Sequence, residues 1–279
     1  MKTIVQISDL HFGRVDPDTL EPLREAIVAL APDLLVVTGD LTQRARRLQF
    51  QEARKFLDSL PGPQLVVPGN HDVPLYRVLA RFHHPLRGFR RHITDDLEPF
   101  YCDDEIAVVG INTARSLTFK YGRINLEQAR RTHARFRSAP AGVTRIVATH
   151  HPFDLPEGSD VRDIVGRARM AMEVLAECGT DLFLAGHVHR SHSGQTAARY
   201  RIAGHSALFL TAGTATSTRG RGEMNSFNWI RIERPRLILR RYSFDRASGA
   251  FNISAEDTFE HTAVGWGKAK AEAAPPTAP

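Results

Sequence analysis
Short runs of aliphatic and β-branched residues recur along the chain: TIVQIS (3–8), DLLVVT (33–38), QLVVP (64–68), IAVVGI (106–111), TRIVAT (144–149) and DLFLA (181–185). Runs this short and this continuous read as strands buried on both faces. Between them, apolar positions fall at helical spacing in TLEPLREAIVAL (19–30), RRLQFQEARKFLDSL (46–60), NLEQARRTHARFR (125–137) and RDIVGRARMAMEVLAEC (162–178). The alternation predicts an α/β fold whose sheet is covered by helices. After residue 205 the helical spacing stops, and ALFLTAGTAT, SFNWIRIER and RLILRRYSF follow in quick succession. They predict a second, antiparallel-rich sheet packed on the first. The last stretch, GKAKAEAAPPTAP, holds too little apolar surface to offset the entropy of ordering. The expectation is one domain over 1–265 and a disordered tail over 266–279, with no internal repeat.

Polar residues of a few kinds stand where these strands end. DLH supplies Asp9 and His11, GD supplies Asp40, GNHD supplies Asn70 and His71, HH supplies His150 and His151, and GHVH supplies His187 and His189. The C-terminal ends of parallel strands lie along one edge, where open α/β sheets bind ligands, so residues distant in sequence converge there. Nitrogen and carboxylate oxygen without thiolate suit zinc, manganese, iron or nickel. The set is too rich for one ion, and two ions about 3.5–4 Å apart need a group shared between them. Asp40, standing alone between the other clusters, is the candidate bridge. The Asn70 oxygen completes one shell, which leaves His71 beside it and unbound.

Length and charge narrow the picture further. A chain of 279 residues fits one large domain or two modest ones, and no run of apolar residues is long enough to span a bilayer. No membrane partner is expected. No secretory signal opens the chain, so a cytoplasmic location is expected. Cys102 and Cys178 lie far apart without CxxC spacing and form neither a disulfide framework nor a thiolate metal knuckle. The net charge of +6 favours anionic partners in general. Basic and aromatic residues do not interleave as a stacking platform would, so nucleic acid is not the favoured partner.

In this order, D-x-H, GD, GNHD, H and GHxH, spanning residues 9 to 189, resemble the calcineurin-like metallophosphoesterases. Beside this resemblance, the fold expected is a four-layer α/β/β/α sandwich of two packed mixed sheets, with the site at the C-terminal ends of the strands. The resemblance implies two divalent ions (Mn, Fe, Zn, Ni or Co), one held by Asp9, His11, Asp40 and His189 and the other by Asp40, Asn70, His150 and His187. His71 then matches the family's catalytic imidazole and is assigned as the general acid, with a hydroxide between the ions as nucleophile. His150 is preferred to His151 because the family's ligand is the first of such a pair. Gly69 is expected to turn the backbone tightly enough for Asn70 and His71 both to reach the phosphate. Asp72 is expected to be a hydrogen-bonding turn residue. Of the remaining histidines only His192 lies close enough to a motif to meet substrate.

The stretch GDLTQRA (39–45) departs from the GDxxDRG of phosphoprotein phosphatases, so a serine/threonine protein phosphatase is not expected. The motif forms and compact length look most like bacterial class III cyclic-nucleotide phosphodiesterases and the related glycerophosphodiesterases. They imply a metal-dependent phosphoric diester hydrolase acting on a small molecule, a cyclic nucleotide such as cAMP or a glycerophosphodiester. The alternatives are a nuclease of the same superfamily, a phosphomonoesterase, and a scaffold that keeps the fold without chemistry. Scaffolds of this kind tend to lose ligands, and here every one is in place; a homodimer stays open. Arg77, Arg81, Arg87, Arg90 and Arg91, in residues 74–92, are expected near the site, mostly as a solvated face. In the loop 217–228, Arg219 or Asn225 is a further contributor.

Overall fold
Alternation along a strand decides which way each residue faces. In the computed structural model, which describes residues 1–156, 158–219 and 222–269, that alternation builds two sheets. The first half of the chain supplies β1 (Lys2–Ile7), α1 (Pro17–Leu30), β2 (Leu34–Thr38), α2 (Arg47–Asp58), β3 (Gln64–Val67), the short helices α3 (Val78–His83) and α4 (Arg87–His92), β4 (Phe100–Cys102) and β5 (Ile106–Ile111). The second half supplies α5 (Leu126–Ser138), β6 (Thr144–Thr149), α6 (Ala168–Glu177), β7 (Leu182–Ala185), β8 (His192–Gln195), α7 (Thr196–Arg199), β9 (Leu208–Thr211), β10 (Ser226–Glu233), β11 (Arg236–Asp245), β12 (Ala250–Thr262) and β13 (Gly265–Lys268). One sheet has the order β13-β12-β11-β10-β1-β2-β3 and the other β4-β5-β6-β7-β9-β8.

Leu34 and Val36 of β2 face the other sheet and pack with Ile106, Val108 and Ile146. Leu35 and Val37 face outward, onto Leu23, Ile27 and Phe50 of the first two helices. On the far side, Ala107, Val109 and Val147 meet Phe136, Met172 and Leu175 of α5 and α6. Three apolar layers therefore separate four layers of structure, the expected α/β/β/α sandwich. Each fully buried aliphatic side chain contributes about 1.5–3 kcal/mol, and together they hold the strand ends in fixed positions. The helix starts are specified locally. Asp16 accepts the Asp18 N–H ahead of Pro17, and Asn125 and Gln128 exchange hydrogen bonds in a capping box.

Three expectations change. The late strands do not form a sheet of their own: β10 pairs antiparallel with β1, so β10 to β13 widen the first sheet, whereas β9 lies parallel to β7 in the second. The open edge of β1 carries unpaired backbone groups, and β10 satisfies them while Ile230 and Ile232 enter the core between the sheets. The helix expected over 162–178 is a single 3-10 turn at Val161–Asp163 and then α6, interrupted at Gly166. The domain continues past 265. Trp266, in β13, is 2% exposed and its indole N–H donates to Asp181 at 2.8 Å. The remainder of the expected tail, 270–279, lies outside the described residues.

Candidate metal centre
The loops after β1, β2, β3, β6 and β7 meet at one edge of the sandwich, and their backbones are unusual where the site residues stand. Asp9, His11, Asp40, His187 and His189 have φ of 54°, 49°, 52°, 72° and 55°. They are five of the eight non-glycine residues with positive φ among the described residues. That region is uncommon for residues with a Cβ and clusters at functional sites. Gly69 works otherwise than expected: its φ is −104°, open to any residue. Its need is close approach, since a Cβ there would lie 2.1 Å from Asp40 Oδ1 and 2.3 Å from the Asp40 nitrogen.

Two groups of ligand-type atoms result. In the first, Asp9 Oδ1 lies 3.2 Å from His189 Nε2 and 3.5 Å from His11 Nε2, and the two imidazole nitrogens are 3.2 Å apart. In the second, His150 Nε2 lies 3.1 Å from Asn70 Oδ1 and 3.3 Å from His187 Nδ1. Asp40 Oδ2 stands between them, 3.7 Å from His11 Nε2 and 3.4 Å from His150 Nε2. Ligand atoms about 2.1 Å from one ion are separated by about 3.0 Å in octahedral and about 3.4 Å in tetrahedral geometry. The spacings here begin just above the octahedral value, at 3.1 Å, and reach past the tetrahedral one, to 3.7 Å.

The same residues fit a metal better than they fit one another. Asp9 is buried, its Oδ2 accepts from Ser8 Oγ and the His187 N–H, and its Oδ1 has no hydrogen-bond partner among the described residues. Burial opposes ionisation of Asp9 and Asp40, yet the imidazoles around them hold both carboxyls well below the usual range. Burial also works against a charged His150, but the Asp40 carboxylate overrides it and pushes the imidazole up to about 9. A cation held between those atoms would take the place of that proton. His150 Nδ1 faces the Thr38 carbonyl at 2.8 Å, which turns Nε2 inward. His151, by contrast, spends Nδ1 on Thr113 Oγ1 at 2.8 Å and Nε2 on the Lys120 carbonyl at 2.9 Å.

His71 stands at the mouth of the centre. Its backbone N–H donates to Asp40 Oδ1 at 2.8 Å, its Nδ1 lies 2.9 Å from the Gln43 carbonyl, and its Nε2 lies 2.9 Å from Arg219 Nη1. A cleft of about 230 Å³ opens here, with Gln43, Arg44, Asn70, His71, Lys120 and Arg219 on its walls. Asp72 is a buckle between two loops: it accepts from the N–H groups of Gly69, Leu41 and Thr42 and from the Thr42 hydroxyl. Burial and the neighbouring Asp40 charge push its carboxyl up to about 7 against those donors.

The arginines divide by role. Arg219 reaches the cleft as expected, whereas Asn225 is buried and braces the same loop by donating to the Ser217 carbonyl. Arg81 is internal, and Arg77, Arg87, Arg90 and Arg91 are exposed and outside the cleft. His192 lies on β8 and does not line the cleft either. Sequence reasoning missed Arg44, Lys120 and Asp163. Asp163 Oδ1 lies 3.7 Å from His187 Nε2 and is paired with Lys120. Burial raises the Asp163 carboxyl, but the His187 and Lys120 contacts bring it down to about 2. Arg44 follows GD closely enough to have been considered; Lys120 and Asp163 sit in stretches with no motif.

The sequence model described as calcineurin-like phosphoesterase matches residues 2–191. Among curated proteins, a UDP-2,3-diacylglucosamine pyrophosphatase of Chlamydia muridarum is 41% identical over 76 residues, covering 26% of this chain and 23% of that one. The chain thus spans under a quarter of the length of the first curated relatives it matches. A probable glycerophosphodiester phosphodiesterase of Arcobacter nitrofigilis is 28% identical over 204 residues, 67% of this chain and 71% of that one. Among solved structures, a dimetal phosphatase from Danio rerio aligns with TM-score 0.64 at 14% identity, over 86% of this chain and 95% of that one. A purple acid phosphatase from yellow lupin aligns with TM-score 0.69 at 14% identity, over 92% and 53%. At that identity the two structures speak for the fold alone.

Proposed function
The chain belongs to the calcineurin-like phosphoesterase family, and on that footing we propose that it hydrolyses a small-molecule phosphodiester, a cyclic nucleotide or a glycerophosphodiester, at a dinuclear metal centre. It is a hydrolase of phosphate esters, and its Asp and His clusters fit the family's two-metal site. In our reading Asp9, His11, Asp40 and His189 hold one ion, and Asp40, Asn70, His150 and His187 hold the other. The observation that carries the substrate class is the cleft: about 230 Å³, with Arg44, Lys120 and Arg219 around it and both ligand groups behind His71. A space that small takes a phosphoryl group and a compact substituent, and its cations favour an anionic substrate. The phosphodiesterase relative that aligns over 204 residues supports the same choice.

When bound, the two ions supply an activated water and polarise the phosphoryl oxygens. The protein's own groups do the rest. The Gln43 carbonyl fixes the Nδ1–H tautomer of His71, so Nε2 is the nitrogen presented to substrate. Protonated there, it donates to the departing oxygen. That requires Arg219 to have left Nε2 for a phosphoryl oxygen beforehand, with Arg44 and Lys120 balancing the remaining charge. The test is a metal-reconstituted screen against cyclic nucleotides, glycerophosphodiesters, phosphomonoesters and oligonucleotides. Preference for one of the first two classes is expected. Faster turnover of monoesters or oligonucleotides would overturn the reading.

A further inference from the structure
Beside the cleft, six large apolar side chains stand exposed together: Tyr76, Val78, Leu79, Phe82, Leu117 and Phe119. Leu79 is 77% exposed and Leu117 81%, which no core requirement explains. They come from two segments that buried Arg81 clamps together. Its guanidinium donates to the carbonyls of Pro74 at 2.9 Å, Ser116 at 2.7 Å and Thr118 at 3.2 Å, and lies 4.1 Å from the centre of the Phe119 ring. A charged group has been placed inside so that apolar groups are presented outside. The lip joins the cleft, since Leu75 and Phe119 line it together with His71, and the Arg44 guanidinium lies 5.9 Å from the Tyr76 ring centre.

The charges around this lip say what covers it. Residues 73–94 hold five arginines and no Asp or Glu. With Arg81 internal, Arg77, Arg87, Arg90 and Arg91 remain exposed. Scattered apolar residues on a surface mean little, but a contiguous group marks an interaction site. Exposed apolar side chains and exposed arginines on one segment match the boundary between acyl chains and anionic headgroups. A second copy of the chain, packing lip on lip, would instead press arginines against arginines.

We propose that this lip docks the protein on an anionic lipid surface, with the mouth of the cleft turned toward the headgroups. The contact is peripheral, since no helix among the described residues is long and apolar enough to cross a membrane. It departs from the expectation of no membrane partner. Co-sedimentation of the full chain with vesicles of phosphatidylglycerol in phosphatidylcholine tests it, with phosphatidylcholine vesicles as control. Binding to the anionic vesicles is expected, weakened on the order of tenfold or more in Leu79→Glu/Phe82→Glu. Arg87→Glu/Arg90→Glu should weaken it as well. Both variants alter exposed residues, and an unchanged circular dichroism spectrum and melting temperature will check that they fold. Absence of binding by the folded wild type would overturn the proposal, as would equal binding by the Leu79/Phe82 variant. So would a dimer in light scattering that this variant abolishes while vesicles bind neither form. Sedimentation is read without turnover, so an inactive preparation counts against the phosphodiesterase reading and leaves this one standing.

Discussion

His71→Ala removes an imidazole whose Nδ1 is tied to the Gln43 carbonyl and whose Nε2 faces the cleft. A positioned general acid contributes about 10²–10⁴ in rate, or about 2.7–5.4 kcal/mol of barrier. If His71 supplies the proton, hydrolysis of an alkyl or ribose diester should slow by about a hundredfold or more, because an alkoxide leaves poorly without one. A nitrophenyl diester, whose phenolate leaves unaided, should lose less than about tenfold. The assay is kcat/KM for both substrates on metal-reconstituted protein, with metal content measured on the same samples. The Arg219→Ala variant belongs beside it, since Arg219 Nη1 lies 2.9 Å from Nε2 and its guanidinium stays in the cleft once the imidazole is gone. Metal content matters because His71, His11 and Asp40 present ligand-type atoms within 4.8 Å of one another. Equal losses on both substrates would replace the acid with a positioning charge. A lost ion would make His71 a ligand.

Asp40→Asn should reduce bound metal at both positions, and Asn70→Ala at one, as read by elemental analysis; two retained ions in the Asp40 variant would remove it as the bridge. Chelation should lower the melting temperature by at least about 5–10 °C, the contribution of one ion, taking about 2.7 kcal/mol for a site saturated a hundredfold over its Kd and about 2–4 °C per kcal/mol. An unchanged calorimetric trace would mean that the buried cluster holds no metal. Trp266→Ala should cost about 3–5 kcal/mol in denaturant unfolding, because the indole sits between the sheets. A loss below about 1 kcal/mol would return that residue to a dispensable tail.

Much of the fold was legible because β2, β5 and β7 are so uniformly apolar that only burial on both faces accounts for them, and each is buried at every position. The convergence of Asp9, His11, Asp40, Asn70, His150, His187 and His189 was legible because parallel strands end along one edge, although the sequence did not show that β1 to β3 and β6 to β7 belong to two sheets whose ends meet there. What sequence patterns do not carry is partner choice. Nothing in SFNWIRIER distinguishes the edge of β1 from an edge of the other sheet. Trp266 was hidden because a lone aromatic between glycines has no periodicity. Lys120 and Asp163 reach the centre through each other and through His187, and Lys120 also through the cleft wall, relations visible once the loops are placed.

The left-handed backbone at Asp9, His11, Asp40, His187 and His189 restricts what those positions accept, apart from any demand of chemistry. Asn, Asp and His are the non-glycine residues most often found in that conformation, and they are also the short side chains that ligate through oxygen or nitrogen. Conformational tolerance and ligand chemistry therefore select from the same small vocabulary. Glutamate has the right carboxylate for Asp9 or Asp40 but not the local preference, and a β-branched residue fails on both counts. At these five positions an exchange among Asp, Asn, His and Gly is therefore expected to alter the metals or silence the chemistry before it disturbs the shape of the loops.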